Sequence, residues 1–296
     1  MRFLIAGGSG FLGSNVRKAL ELEQHEVITL TRRRPQTTQQ LHWDGRTITG
    51  WGEVVSEVDA VLHLAGFGLE HWPWSPRQKQ KFVDSRVLPG KALVSAITAA
   101  RRRPTVFLQA SGVNRYGLQG KGVADESTAP ASDFLAQVTV PWEAVSEPLV
   151  NLGVRRIVVR NAIVLDRRAG LFPLMALPTR LFLGGRFGSG AQAVPWIHLQ
   201  DWVRAVQFLL DNSQAEGPYN LIAPSLTTNA EFMQTVARTL HRPCWLHLPE
   251  FLLRAGMGEM SNLLTKGRFS EPKRLLELGF QFRFGDLRLA LDDLLG

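Results

Sequence analysis

Apolar positions in this chain fall into short runs separated by stripes at helical spacing, and the N-terminal stretch shows the alternation most plainly. Arg2 to Ala6 is a short apolar run. Phe11, Leu12, Val16, Ala19, Leu20 and Leu22 then recur at helical intervals, and Glu26 to Leu30 is apolar again. This predicts strand, helix, strand. Further apolar runs lie at Ala60 to Leu64, at "TVFLQAS" (105–111) and at "RRIVVRNAIVL" (155–165). Each lacks polar alternation, as expected of central parallel strands covered on both faces. Between them, "HWDGRTITGW" (42–51) predicts a hairpin turning at Asp44-Gly45. Residues 76–100 predict a helix with Phe82, Val83, Leu93, Val94 and Ile97 on its apolar face, interrupted at Pro89-Gly90. Beyond these, "GPYNLIAPSLTTNAEFMQTVARTLHRP" (217–243) offers a strand, a capping region at Thr227-Thr228-Asn229 and a helix to about Leu240.

The turn after the first strand carries the first chemistry. Gly7, Gly10 and Gly13 stand three residues apart, where glycine permits a tight turn, close approach of backbone to a pyrophosphate, and close contact of helix with sheet. The helix that opens at Phe11 and Leu12 presents free N–H groups and a partial positive charge to the same phosphates. Because the triplet directly follows a strand and opens a helix, it predicts a dinucleotide site. The next strand ends at Leu30-Thr31-Arg32, without the acidic residue that hydrogen-bonds an NAD ribose. A hydroxyl followed by arginine suits the 2′-phosphate of NADP(H), since a guanidinium can fork onto phosphate oxygens. Arg33 and Arg34 read equally as a solvated basic loop.

Composition narrows the remaining classes. At 296 residues, 45% hydrophobic and 20% charged, the chain is an ordinary globular one. No window holds the roughly 18–20 uninterrupted apolar residues of a bilayer span, and the opening stretch lacks a signal-peptide pattern, so a cytoplasmic protein without a membrane partner is expected. The one cysteine, Cys244, is expected to be a small buried hydrophobe. The formal charge of +8 is dispersed apart from "TRRRP" and "ARRRP", neither interleaved with aromatics. It therefore points to anionic small ligands rather than nucleic acid. No His or Cys spacing suggests a metal site, and His63, inside an apolar run, is read as a core histidine.

The glycine spacing resembles the short-chain dehydrogenase/reductase superfamily in its extended, epimerase-like branch. "VDAVLHLAG" (58–66) is similar to that branch's strand over the cofactor, which implies a cofactor wall at Leu64, Ala65 and Gly66. "GSGAQAVPWIHLQDWVRA" (188–205) is similar to its G-x-G-x-Q segment and the Ile-His-x-x-Asp turn after it. Four stretches, "WSPRQKQKFVDSRV" (74–87), "FLGGRFGSGAQAVPWIH" (182–198), "TTNAEF" (227–232) and "EPKRLLELGFQFRF" (271–284), resemble an atypical group that ends in a short C-terminal module of unknown role. The implied fold class is α/β, a Rossmann-type doubly wound parallel sheet with a smaller α+β C-terminal substrate domain. Residues 1–170 and 196–222 would form the first unit, and residues 171–195 and 223–296 the second, with the module at 248–296.

The resemblance also locates the chemistry and its anomaly. Ser111 stands at a strand end, where ligands of such sheets bind, and matches the serine that polarises a substrate carbonyl or hydroxyl. The Tyr-x-x-x-Lys pair of the family, aligned through Glu143, falls on Leu135 and Thr139, so both catalytic side chains are absent. Tyr116 is the remaining proton donor in the serine's loop, with a purely structural tyrosine as the alternative; Lys121 reads as a solvated loop residue. Gln192 matches the family's glutamine, but the arginine that often follows it to hold a sugar-nucleotide diphosphate is replaced by Ala193-Val194. His198 and Asp201 read as braces of the pocket. "HWPWSP" (71–76) is either a loop over the cofactor or a structural tryptophan pair. Lys266, Arg268, Lys273 and Arg274 are either a solvated surface or an anion-facing rim. Two functions follow: an NADP(H)-dependent oxidoreductase or epimerase-like enzyme acting on an unnamed small molecule through Ser111 and Tyr116, or an NADPH-binding sensor without turnover.

Overall fold

In a computed structural model, described for residues 1–69 and 71–296, the strands in chain order are β1 (Arg2–Ala6), β2 (Glu26–Thr31), β3 (Gln40–His42), β4 (Ala60–His63), β5 (Val106–Gly112), β6 (Arg155–Asn161), β7 (Ile163–Leu165), β8 (Gly184–Phe187), β9 (Trp196–His198), β10 (Gly217–Leu221) and β11 (Cys244–Leu248). The helices are α1 (Phe11–Leu22), α2 (Pro76–Ala99), α3 (Phe134–Ala144), α4 (Phe172–Arg180), α5 (Leu199–Asp211), α6 (Asn229–Thr239), α7 (Glu250–Met257), α8 (Asn262–Thr265), α9 (Lys273–Glu277) and α10 (Leu287–Leu295). The main sheet is parallel, in the order β10-β6-β5-β4-β1-β2-β3. Strand order reverses between β1 and β4, and in such sheets the crevice beyond that reversal is where ligands bind.

Alternation within the buried strands builds two cores. Phe3, Ile5, Leu62, Leu108 and Ile157 face α1 and α5, while Leu4, Val61 and Phe107 face α2. Each fully buried Val, Leu or Phe contributes roughly 1.5–3 kcal/mol. A third core, centred on Phe172, Trp196, Phe232, Leu253 and Leu291, joins α4, α6, α7 and α10 beside the two-stranded β8–β11 ribbon. Among the described residues no helix is long and apolar enough to cross a membrane, and no cluster of His, Cys, Asp and Glu could hold a metal ion.

Three expectations are corrected here. Residues 42–51 do not form a hairpin: β3 pairs in parallel with β2, and the chain then enters a 3-10 turn at Gly52–Glu57. Asp44-Gly45 does turn, but Trp43 and Trp51 are both buried and pack edge to face at 5.7 Å, so burial of the indoles replaces antiparallel pairing. Nor does Pro89-Gly90 break α2, which runs unbroken through it. The pair serves close packing, because a Cβ on Gly90 would stand 2.5 Å from Val145 Cγ1. Cys244 is exposed rather than buried, at the start of β11, and desolvation still raises its pKa.

His63 sits where expected, fully buried, with Nε2 at 2.9 Å from the Arg86 carbonyl. That contact makes Nε2 the protonated nitrogen. Desolvation pulls its pKa from 6.5 down to about 4, against the hydrogen bond to Arg86. Between those values the unfolded chain binds a proton that the folded one refuses, so stability falls as pH falls through the window, by roughly 3 kcal/mol in all. Urea unfolding at pH 6.5 and 4.5 should therefore show a smaller acid loss in His63→Gln than in wild type; equal losses would contradict the assignment.

Candidate active-site cleft

The turn from β1 into α1 is tight: Gly10 N–H donates to the Gly7 carbonyl at 2.9 Å, and Gly7 has φ +91°. A Cβ on Gly7 would lie 2.6 Å from the Leu64 carbonyl carbon, and one on Gly13 would lie 2.2 Å from the Gly7 oxygen. Gly13 thus serves helix-to-strand contact, and Gly7 lets the β4 loop approach. α2, α3, α6 and α10 are each capped by a side chain, Ser75, Asp133, Thr228 and Asp286, whereas α1 begins at Gly10 with no side-chain cap. Its first-turn amides are left for an anionic ligand.

Two cavities meet over this turn and share Leu64, Ala65, Gly66 and Phe67 as a common wall. The one of about 480 Å³ is lined by Gly7, Ser9, Gly10, Arg32, Arg46 and Lys81. Thr31 does not line it. Its hydroxyl accepts from the Arg33 N–H at 3.1 Å and so shapes the arginine loop from behind. Arg46 escaped the sequence reading, because only the parallel course of β3 brings it beside Arg32. Asp44, its neighbour, accepts from the Arg46 and Thr47 amides and the Thr47 hydroxyl, and these bonds hold its pKa low. That carboxylate is consumed in its own turn and presents Arg46.

The second cavity, about 390 Å³, contains Phe11, Leu12, Ser111, Leu135, Thr139 and Asn161 in its wall. Leu135 and Thr139 therefore stand on the cleft as the spacing from Glu143 implied, and the Thr139 hydroxyl is spent on the Ala136 carbonyl at 2.8 Å. Ser111 donates to Glu143 Oε1 at 2.6 Å. Arg160 forks onto the same carboxylate, Nε to Oε1 and Nη2 to Oε2, both at 2.9 Å, with Arg115 Nη1 at 3.5 Å. Ser111 and Arg160 reach one carboxylate because they are register partners on β5 and β6, and Asn220 on β10 continues the row. Burial works against the Arg160 charge, but the bonds and charge of Glu143 outweigh it and raise its pKa.

Tyr116 belongs to this row and is not among the residues of the cavity wall. Its side chain is fully buried, and its hydroxyl donates to Asn220 Oδ1 at 2.6 Å and accepts from Arg160 Nη1 at 2.8 Å. Desolvation pushes its pKa up to about 12 despite Arg160. Lys121 is exposed, in keeping with a loop residue. His198 and Asp201 brace the C-terminal part. The His198 ring lies 3.9 Å from that of Phe284 and its Nε2 3.2 Å from Asp293, while Asp201 accepts from the Arg283 and Phe284 amides. Desolvation lowers the His198 pKa, against the nearby carboxylates. Gln192 ties the Phe187 carbonyl to that of Leu264. In the aromatic loop, Trp74 packs on Phe82 and Phe134, the structural reading of that tryptophan.

A parallel sheet with a glycine cradle at its switch point and a strand-end serine defines a class, and comparison with known proteins gives its name. Residues 3–140 match the NAD dependent epimerase/dehydratase family, and residues 248–294 match a domain of unknown function, DUF1731. The chain belongs to this family and has its NAD(P)-binding fold. An epimerase family protein of Mycobacterium leprae (strain TN) is 36% identical over 288 residues, covering 97% of this chain and 93% of its own length. The epimerase family protein YfhF of Bacillus subtilis (strain 168) is 31% identical over 303 residues, covering 100% and 98%. The structure of human epimerase family protein SDR39U1 (isoform2) with NADPH matches with a TM-score of 0.91 at 31% identity, covering 99% of each chain.

The carboxylate of Glu143 should dominate local stability. Removing one partner of a buried ion pair costs about 3–5 kcal/mol, so Glu143→Gln is expected to lose that much in urea unfolding, with partial recovery in Glu143→Gln/Arg160→Met. A loss below about 1 kcal/mol, the level of an exposed pair, would deny the network this role.

Proposed function

We propose that the chain binds NADP(H) across the two cavities and transfers hydride between it and a small molecule, with Ser111 holding the reacting oxygen. The observation that carries this reading is the shared wall Leu64–Phe67, which joins a polar cavity beyond β2, lined by Arg32, Arg46 and Lys81 together with Asp44 and Asp84, to an apolar one containing Ser111. The residues fit the cofactor. Gly7 and Gly10 clear space for a pyrophosphate, the uncapped start of α1 at Phe11 and Leu12 supplies N–H donors, and Gly13 keeps the helix close to the strand. Arg32 and Arg46 supply guanidinium groups for a 2′-phosphate, and the carboxylate at the end of β3, Asp44, accepts from the Arg46 and Thr47 amides of its own turn. The human relative bound to NADPH supports the same choice.

When bound, the nicotinamide supplies the carbon that gives or takes the hydride. This chain's residues do the rest. The apolar wall excludes water from the reacting atoms. The Ser111 hydroxyl donates to Glu143, onto which Arg160 forks, so its lone pairs are free to accept from a substrate hydroxyl. As the carbon bearing that hydroxyl gives up hydride, the hydroxyl proton passes to the Ser111 oxygen and the Ser111 proton passes on to Glu143. Reduction of a carbonyl runs the same relay in reverse. Tyr116 keeps Arg160 and Asn220 in register and takes no part in proton transfer. A second reading, a sensor that binds NADPH without turnover, is favoured by Leu135 and Thr139, which leave the cleft without the family's acid and its lysine.

NADPH should raise the melting temperature well above the effect of NADH at equal concentration. Arg32→Ala/Arg46→Ala should bind NADPH at least about tenfold more weakly, the loss of one charge-assisted hydrogen bond. Equal shifts by both cofactors would refute the NADP assignment. Turnover is tested by following oxidation of bound NADPH in a single cycle across carbonyl compounds. Ser111→Ala is expected to slow it at least about tenfold, whereas Tyr116→Phe, if folded, should stay within about threefold of wild type. The opposite ranking would restore Tyr116 to the chemistry, and no oxidation by any protein would favour the sensor.

A further inference from the structure

The C-terminal module has no assigned role, yet part of it forms a wall of the 390 Å³ cavity: Leu263, Leu264, Lys266, Gly267 and Arg268. Its backbone is fixed there from two sides. The Ala193 amide donates to the Gly267 carbonyl at 3.4 Å, and a Cβ on Gly267 would lie 2.0 Å from the Ala193 oxygen. Ala124 bridges to Ser270 through bonds of 2.8 and 2.9 Å, and Gln192 holds the Leu264 carbonyl at 2.7 Å.

Charge at this wall is unbalanced. Among the described residues the cavity wall carries Lys266 and Arg268 from the module and no Asp or Glu, while Arg86, on α2, is engaged with partners of its own. The Lys266 side chain makes no hydrogen bond or ion pair with any described residue. The Arg268 guanidinium bonds only backbone carbonyls, Tyr116 at 3.0 Å and Lys121 at 3.2 Å, and its Nε is buried without a partner. Carbonyls satisfy its N–H groups and leave its charge in place. The phosphates of a dinucleotide do not account for these cations, because Gly7, Ser9 and Gly10 line the other cavity and not this one. The rest of the wall is apolar, with Phe11, Leu69, Leu171 and Met175 among its side chains. Unpaired cations beside a low-dielectric surface select an anion, and the apolar wall selects the body that carries it.

We propose that the module makes the cleft a receptor for a small molecule with an anionic oxygen group on an apolar body, the anion held by Lys266 and Arg268. This names a substrate class for the site proposed above and rests on that reading. It is tested on the full chain loaded with NADPH, occupancy being followed by cofactor fluorescence, with 4-phenylbutyrate, 3-phenylpropyl phosphate and 4-phenylbutanamide as probes. The carboxylate or the phosphate should bind at least about tenfold more tightly than the amide, and whichever leads identifies the anion. Lys266→Gln, which breaks no contact, should cut that preference to about threefold or less and leave NADPH affinity unchanged. Arg268→Lys, which keeps the charge, should keep more of it than Arg268→Gln. If NADPH is bound and the amide equals both anions, or none of the three binds, the proposal is overturned while the cofactor reading stands. It is overturned too if Lys266→Gln weakens NADPH instead of the probe. Failure of NADPH itself to bind defeats the cofactor reading, and the same probe comparison on the free protein then decides the anion site alone.

Discussion

Glu143 and Arg160 face each other with 6% and 4% of their surface exposed, and the arrangement of the cleft depends on that pairing. A buried carboxylate is costly unless its oxygens are occupied, and here each is, by a guanidinium fork and by the Ser111 hydroxyl. The pair therefore fixes α3 against β5 and β6. It aims Ser111, and through Arg160 it holds the Tyr116 hydroxyl. With α3 held in this way, the helix presents Leu135 and Thr139 to the cavity.

The remainder of the site is assembled from distant segments, in large part through hydrogen bonds to backbone groups. Arg268 clamps the loop after β5 from 152 residues away, through the Tyr116 carbonyl. His198 and Asp201, at the start of α5, grip the Phe284 region with a ring stack and two amide bonds. These contacts give the His-x-x-Asp turn a mechanical meaning: it attaches the C-terminal segment to the sheet.

How much of this was legible in the chain follows from how local each constraint is. The β1–α1 turn was readable because Gly7, Gly10 and Gly13 answer to neighbours a few residues away. Leu135 and Thr139 were located by counting back from Glu143, and all three lie on the one helix α3, where spacing along the chain is spacing along the helix. Sequence placed Tyr116 near Ser111 without showing that its hydroxyl reaches Asn220 on β10. Arg46 was missed since a turn signal does not say whether its limbs pair with each other or with a neighbouring strand. Pro89 was overweighted, as helix propensity says nothing of the packing space Gly90 opens for Val145.

The segment at 262–268 also bears on the order in which the molecule can be completed during synthesis. The glycine cradle, β1, β2 and β4 emerge early and share with α2 a core that Phe107, Leu149 and Val154 complete. The cavity around Ser111 lacks a wall until residues 262–268 leave the ribosome and Gly267 meets Ala193. A chain halted after β11 would carry the cradle and Arg32 but neither Lys266 nor Arg268. Dinucleotide capture and recognition of the second ligand thus mature at different times, although they share one cleft.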